Sequence, residues 1–364
     1  MAKKIKKRWY ILGLAAFIIY LFIAVHPIPE ETILKARWIT SLESNYPVGL
    51  GDFSASEDSE QKLLPFTLGD RYGYVGDDGR FAINQIRRGY ISISENRWAE
   101  YEAYPSSIQV MNPQNDHVLT VEQTKGYPLF LDDRVFMVGS EQNSLTAIGP
   151  SGEELWTHDF PAPITCVDAA GGFVLAGTLD GAVEFLDSSG IPVFTPFEPG
   201  GSRLLVILGC AVSRDASRLA VISGIDSQRF LLLERDGDTC KVLYHEFLSE
   251  GFRRPVHVSF VDGDSKVAFE SEEGLGIYDI SARTSIRVPL RGEIVTLDDS
   301  GGDRFLFLIT SQAPRERRFI SVRYPGVIVI EAPFRSSNSF FARRDSKLYL
   351  GGNLTMMSFE LEKK

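Results

Sequence analysis

The sequence predicts an all-β protein: a β-propeller of about seven four-stranded blades, within a range of six to eight, preceded by one N-terminal transmembrane helix. Three observations carry this. Similar strand-turn-strand units recur along most of the chain; the first strand of each pair is apolar on both faces; and a charge-free run follows a basic cluster at the N-terminus.

The elements follow in chain order. Residues 1–8 hold Lys3, Lys4, Lys6, Lys7 and Arg8 before any acid, the first of which is Glu30. Residues 9–25, from Trp9 to Val25, carry no charge and would span roughly 26 Å as a helix at about 1.5 Å per residue. Trp9 and Tyr10 suit a membrane interface, and the basic cluster keeps the N-terminus cytoplasmic. This makes 9–25 a signal anchor, with the chain beyond it extracytoplasmic and the protein single-pass in the inner membrane. Ala24, Val25, His26 and Pro27 form a poor cleavage site, and no cysteine follows the run to carry a lipid.

Residues 26–64, with the acidic "GDFSASEDSEQK", read as a stalk that could also supply a closing strand. Residues 65–364 read as the propeller. Sliding "GFVLAGTLDGAVEFLDSSGIPVF" back by 38 positions lays it on "RVFMVGSEQNSLTAIGPSGEELW": Gly177 meets Gly139, Val183 meets Leu145, and Phe194 meets Trp156. Weaker copies begin near Tyr72, Leu219, Val267, Phe305 and Leu348. Successive spacings are 63, 39, 45, 48, 38 and 43 residues. All but the first fit a four-stranded blade, and the 63-residue gap leaves room for an eighth unit or a long insertion around "YEAYPSSIQVMNPQNDHV".

Gly152 to Trp156, Asp180-Gly181 and the Asp187 to Gly190 turn resemble the repeat of quinoprotein-like (PQQ-repeat) propellers over about 60 residues. Later units resemble WD-repeat or NHL-type propellers, without the Trp-Asp signature. In quinoprotein dehydrogenases the resemblance would imply a bound quinone, calcium and adjacent bridged cysteines. Here Cys166, Cys210 and Cys240 are far apart, allow at most one bridge and have no zinc-ligand spacing, so no cofactor or metal is expected. The acidic turns at Asp236-Asp238, Asp262-Asp264 and Asp298-Asp303 match no calcium loop and read as hairpin turns.

No nucleophile elbow or metalloprotease motif occurs, and five histidines are scattered singly, so no enzyme activity is expected. The net charge of -10, more negative still beyond the basic cluster, argues against nucleic acid as a partner. What remains is a protein-interaction scaffold in a cell-envelope complex, with envelope or membrane proteins as partners. Residue type and loop position select Tyr101, Tyr104, Arg253, Arg254, Arg315, Arg317 and Arg318 as candidate contacts. A narrower alternative is an accessory factor of outer-membrane protein assembly, since the repeat resembles that of the propeller lipoprotein with this role. Another is an enzyme or ligand sensor with a metal or small molecule in the channel.

Overall fold

The computed structural model describes residues 14, 17, 20, 32–44, 47–50, 62–122, 126–249, 251–300 and 304–363. Their strands form eight antiparallel sheets. Inner strands of successive sheets lie side by side, and the sheets form a ring. Blade 1 comprises Leu64–Leu68, Arg71–Val75 and Phe81–Ile86; blade 2 comprises Tyr90–Ile93, Trp98–Tyr101, Ser107–Met111 and His117–Glu122. Blade 3 runs from Gly126–Leu131 through Arg134–Gly139 and Ser144–Ile148 to Glu154–Asp159. Blade 4 holds Ile164–Ala170, Phe173–Thr178 and Val183–Leu186. Blade 5 contains Ile207–Val212, Arg218–Ser223, Arg229–Asp236 and Thr239–Phe247, and blade 6 contains Val258–Val261, Lys266–Ser271, Gly274–Asp279 and Thr284–Pro289. Blade 7 is built from Glu293–Asp298, Phe305–Ala313, Glu316–Arg323 and Val327–Arg335. Blade 8 joins Ser339–Arg344, Lys347–Gly352 and Thr355–Lys363 to the N-terminal strand Thr32–Ser41.

The blade count is therefore eight rather than about seven. The 63-residue gap holds blade 2, whose second strand is only four residues long and carries Glu100, so it shows no apolar run. The segment 9–25 lies outside the described residues except for Leu14, Phe17 and Tyr20, which are helical and exposed. Among the described residues no helix is long and apolar enough to cross a membrane.

Most second strands are largely apolar because both faces of each sheet are covered by neighbouring blades, Glu100 and Glu270 being exceptions. In Arg218–Ser223 every residue after the first is buried, whereas Glu154–Asp159 on a rim has no buried residue. Aromatic rings cross the blade boundaries: Phe230 of blade 5 stacks on Phe269 of blade 6 at 4.3 Å, and Phe307 of blade 7 meets Phe341 of blade 8 at 5.9 Å. Such pairs add about 0.5–1.5 kcal/mol each beyond area burial. The Asp180-Gly181 turn is structural. Asp180 accepts from the Thr178 hydroxyl, and Gly181 has φ +92°, with Leu205 too close for a side chain.

We call the face that carries the loops into the inner strands of blades 2 to 8 the upper face. The lower face carries their first hairpin turns, and there carboxylates bind main-chain N–H groups of adjacent blades. Asp132 accepts from Gly172 (3.1 Å), Asp168 from Val212 (2.8 Å), Asp264 from Arg214 (2.9 Å), Asp299 from Asp262 (2.6 Å) and Asp298 from Arg343 (2.9 Å). The acidic turns at Asp262–Asp264 and Asp298-Asp299 are thus inter-blade latches as well as hairpins, whereas Asp236 pairs with Lys241 of its own hairpin. Blade 1 breaks the pattern. Gly69, after its inner strand, lies against Asn338 at the upper entry to blade 8, while Arg344 at the lower end donates to Leu63 O (2.8 Å). Blade 4 also has three strands, but Pro192 and Phe197 bridge back along its third; blade 1 has no such return segment among the described residues and must take the chain in from the lower face so that blade 2 can start from the upper one.

Thr32–Ser41 closes the ring by pairing antiparallel with Thr355–Lys363, from Thr32 opposite Lys363 to Ser41 opposite Thr355. Trp38 is fully buried at this seam and donates Nε1–H to Asp77 O at 2.9 Å, and Val48–Gly49 covers the strand's outer edge. Trp38→Ala should cost about 3–5 kcal/mol, read as a fall in the urea midpoint. A second expectation concerns acid. The Ser213 hydroxyl, with Ser217, lowers the Asp215 carboxyl to about 2, and the Ala282 N–H, with Ser281 and Lys266, lowers that of Asp279 to about 2. Their stabilisation is present above the ordinary value of 3.8 and is lost as pH falls through about 2. Burial pushes Asp168 and Asp299 the other way. Thermal melts of the Asp215→Asn/Asp279→Asn variant should therefore lie below wild type at pH 6 and converge on it at the acid end.

Candidate functional site

Four tyrosines meet on the upper face where blades 2 and 3 adjoin. Tyr90 opens the inner strand of blade 2, and Tyr101 closes the next strand. The two residues are cross-strand partners, so their rings stack with centroids 5.9 Å apart. Tyr104 stands in the following loop and is 91% exposed; Tyr127 enters from the inner strand of blade 3. With Ala103, Gly126, Ser140 and Gln142 they line a groove of about 420 Å³.

Tyr101 and Tyr127 are anchored, the first against the core between blades 2 and 3 and the second against that between blades 3 and 4, whereas Tyr90 (58% exposed) and Tyr104 present their rings to solvent. The Ser92 hydroxyl donates to Pro128 O across the boundary at 2.6 Å and lies 3.4 Å from the Tyr101 hydroxyl. Gly126 admits the close approach of the first two strands of blade 3. At φ +156° its missing Cβ would sit 2.0 Å from Val138 O. Burial, with Tyr101 beside it, pushes the Tyr127 phenol upward, away from neutrality. Broad aromatic faces rimmed by hydroxyl and amide groups suit adhesion rather than proton transfer.

The seven residues chosen from the sequence all belong to this one face. Tyr101 and Tyr104 share the groove; Tyr90 and Tyr127 were missed, although Tyr90 lies directly opposite Tyr101 once the hairpin is drawn. Arg315, Arg317 and Arg318 lie in or beside the loop between the second and third strands of blade 7, and Arg317 and Arg318 help to line a second groove of about 370 Å³. Arg253 is exposed. Arg254 is committed to the architecture. It grips the buried Glu270 through both Nη atoms (2.8 and 3.1 Å) and reaches Glu293 at 3.0 Å. Glu270 also accepts from Ile294 N of blade 7 at 3.0 Å, so the cluster pins blades 6 and 7 together.

Other titratable groups are structural too. His158 of blade 3 contacts the buried Glu184 of blade 4 at 2.9 Å. The three cysteines, dispersed in sequence, pack into one core region between blades 4 and 5. Contact with Cys166 and burial push the Cys210 thiol up, and burial takes that of Cys240 up to about 11, away from nucleophilic thiolate character. Among the described residues no group of three His, Cys, Asp or Glu side chains could hold a metal ion.

Comparison with known proteins agrees with this architecture. A family model described as "beta-propeller protein" matches residues 1–364. An uncharacterized protein of Treponema pallidum (strain Nichols) is 28% identical over 300 residues, covering 81% of this chain and 78% of that protein. Among solved structures, BamB from Moraxella catarrhalis superposes with a TM-score of 0.57 at 14% identity, over 90% of this chain and all of that one. A chain of the Mitotic Checkpoint Complex gives 0.56 at 13% identity, over 86% and 96%. At these identities the likeness is one of fold.

Removing Arg254 should strand the Glu270 carboxylate. Arg254→Ala is expected to lower stability by about 3 kcal/mol, whereas Arg253→Ala should leave the urea midpoint unchanged.

Proposed function

Since the chain belongs to the β-propeller protein family, we propose that it is a non-catalytic interaction module, tethered to a membrane through residues 9–25, that recruits envelope or membrane proteins through its upper face. The observation that carries the reading is the tyrosine groove. Tyrosine and arginine are the residue types that dominate binding energy at protein interfaces, and the groove offers exposed rings held on anchored ones. A second support is strand direction. Thr32, where the described chain enters the ring, is at the lower end of the closing strand. A tether running from it to a membrane leaves the tyrosine face turned outward. The charge-free run after the basic cluster supports an inner-membrane anchor and an extracytoplasmic propeller.

A narrower reading, an accessory factor in outer-membrane protein assembly, is favoured by the repeat at residues 135–194 and is compatible with the fold likeness to BamB. Both readings use the same face.

The test is purification of the tagged full-length protein from its native membrane in mild detergent, with mass spectrometry and elemental analysis of the same fraction. The expected result is a stoichiometric partner and no bound metal. Tyr90→Ser/Tyr104→Ser should release that partner while leaving the thermal midpoint in place, because truncating an aromatic anchor at an interface costs about 2 kcal/mol or more in binding. A lone protein carrying a stoichiometric metal would overturn the proposal and direct attention to the channel.

A further inference from the structure

Every blade ends in an outer strand, and an open strand edge offers unpaired N–H and C=O groups to any passing chain. Several of the edges here carry charged or imidazole side chains along their length. The outer strand of blade 3 holds Glu154, His158 and Asp159; that of blade 5 holds Lys241, His245 and Glu246; that of blade 6 holds Arg287. The edge of blade 8 is covered by Val48–Gly49. Blade 7 differs. Its outer strand Val327–Arg335 begins with four uncharged β-branched residues, of which Val327, Ile328 and Val329 are 49%, 36% and 38% exposed. Ile330 and Phe334 pack inward toward blade 8, and Val329 is the extra residue of a single bulge, Ile330 pairing with Ser321 and Ile328 with Val322. Among the described residues nothing pairs with its outer side.

The same strand leads into the second groove. Pro333 has no N–H, so a ladder added along residues 327–332 stops there. Just beyond lie Arg317, Arg318 and Arg335, with Glu316 as the one lining carboxylate. Arg318 is paired with Glu331. Arg317 is held by neutral oxygens, Ala313 O at 3.0 Å, Ser337 O at 3.2 Å and the Ser311 hydroxyl, and pairs with no carboxylate among the described residues. It is a fixed guanidinium with its counter-charge missing, in a protein whose net charge is -10.

We infer that the outer edge of blade 7 is a strand-addition site for an extended partner segment, uncharged and β-branched along residues 327–332 and acidic at the end that reaches Arg317 and Arg335. This rests on the reading of the propeller as an interaction module. Main-chain bonds would supply affinity, and the arginines would set the direction in which the segment lies.

Fluorescence polarisation with a labelled peptide of alternating valine and threonine ending in two glutamates tests it, using the full-length protein in detergent. Binding should be lost when alternate peptide amides are N-methylated. It should weaken about tenfold or more, some 1.4 kcal/mol, in Val329→Lys, in Arg317→Ala/Arg335→Ala, and when the glutamates are replaced by lysines. Circular dichroism melts check that the variants remain folded. Tyr90→Ser/Tyr104→Ser should bind the peptide unchanged, which separates this site from the tyrosine groove. No binding at millimolar peptide, or binding indifferent to N-methylation or to Val329→Lys, overturns the inference. A dimer of the protein that Val329→Lys dissociates would overturn it as well, by assigning the edge to a second copy.

Discussion

The structure depends on one seam. A ring of sheets has no internal end, and this one is completed where Thr32–Ser41 lies against Thr355–Lys363. Without that pairing, blade 8 would lose its outer strand, Trp38 its burial and Asp77 one of its partners. Elsewhere adjacent blades are joined mainly by side-chain packing, which is non-directional. The hydrogen-bonded seam therefore fixes a geometry that packing alone would leave free to open. Lys347 and Tyr349 of blade 8 bind the Asp77 carboxylate of blade 1, so the same locus ties the last blade to the first.

Between blades the chain uses two kinds of directional contact, one on each face. On the lower face, Asp132, Asp168, Asp264, Asp298 and Asp299 reach main-chain N–H groups of a neighbour. On the upper face, the Arg254–Glu270 cluster does similar work between blades 6 and 7. A packed interface tolerates small rotations, and a carboxylate bound to one amide does not. Between blades 2 and 3 the Ser92 hydroxyl on Pro128 O is the directional contact, beside the groove that Tyr101 and Tyr127 line together.

How much of this was legible in the sequence depended on the strand. "FVLAG", "LAVIS", "VAFES" and "LFLIT" are visible because a strand covered on both faces is apolar at most positions, and all belong to the second strands of their blades. Blade 2 was hidden because Trp98–Tyr101 is short and holds Glu100, whose carboxylate caps the main chain at Arg88 and Gly89. The reversed entry of blade 1 leaves no local signature, since a strand reads alike in either direction across a sheet. In the candidate site, Tyr101 and Tyr104 were recognisable by type and loop position. Tyr90 and Tyr127 were not, because what matters about them is which blade they face. Arg254 looked like a contact and is a structural pin, a distinction that only the burial of Glu270 reveals.

The direction of the closing strand has a mechanical side. Ladder hydrogen bonds lie perpendicular to their strands, and Thr32–Ser41 meets its partner antiparallel over its whole length. A pull on Thr32 along the strand, opposed by a load on the upper face, therefore shears the seam and strains its hydrogen bonds together. A sideways pull would instead peel them one at a time. The same ten-residue strand that completes the ring is thus oriented as a clasp, strongest when tension runs along the strand itself.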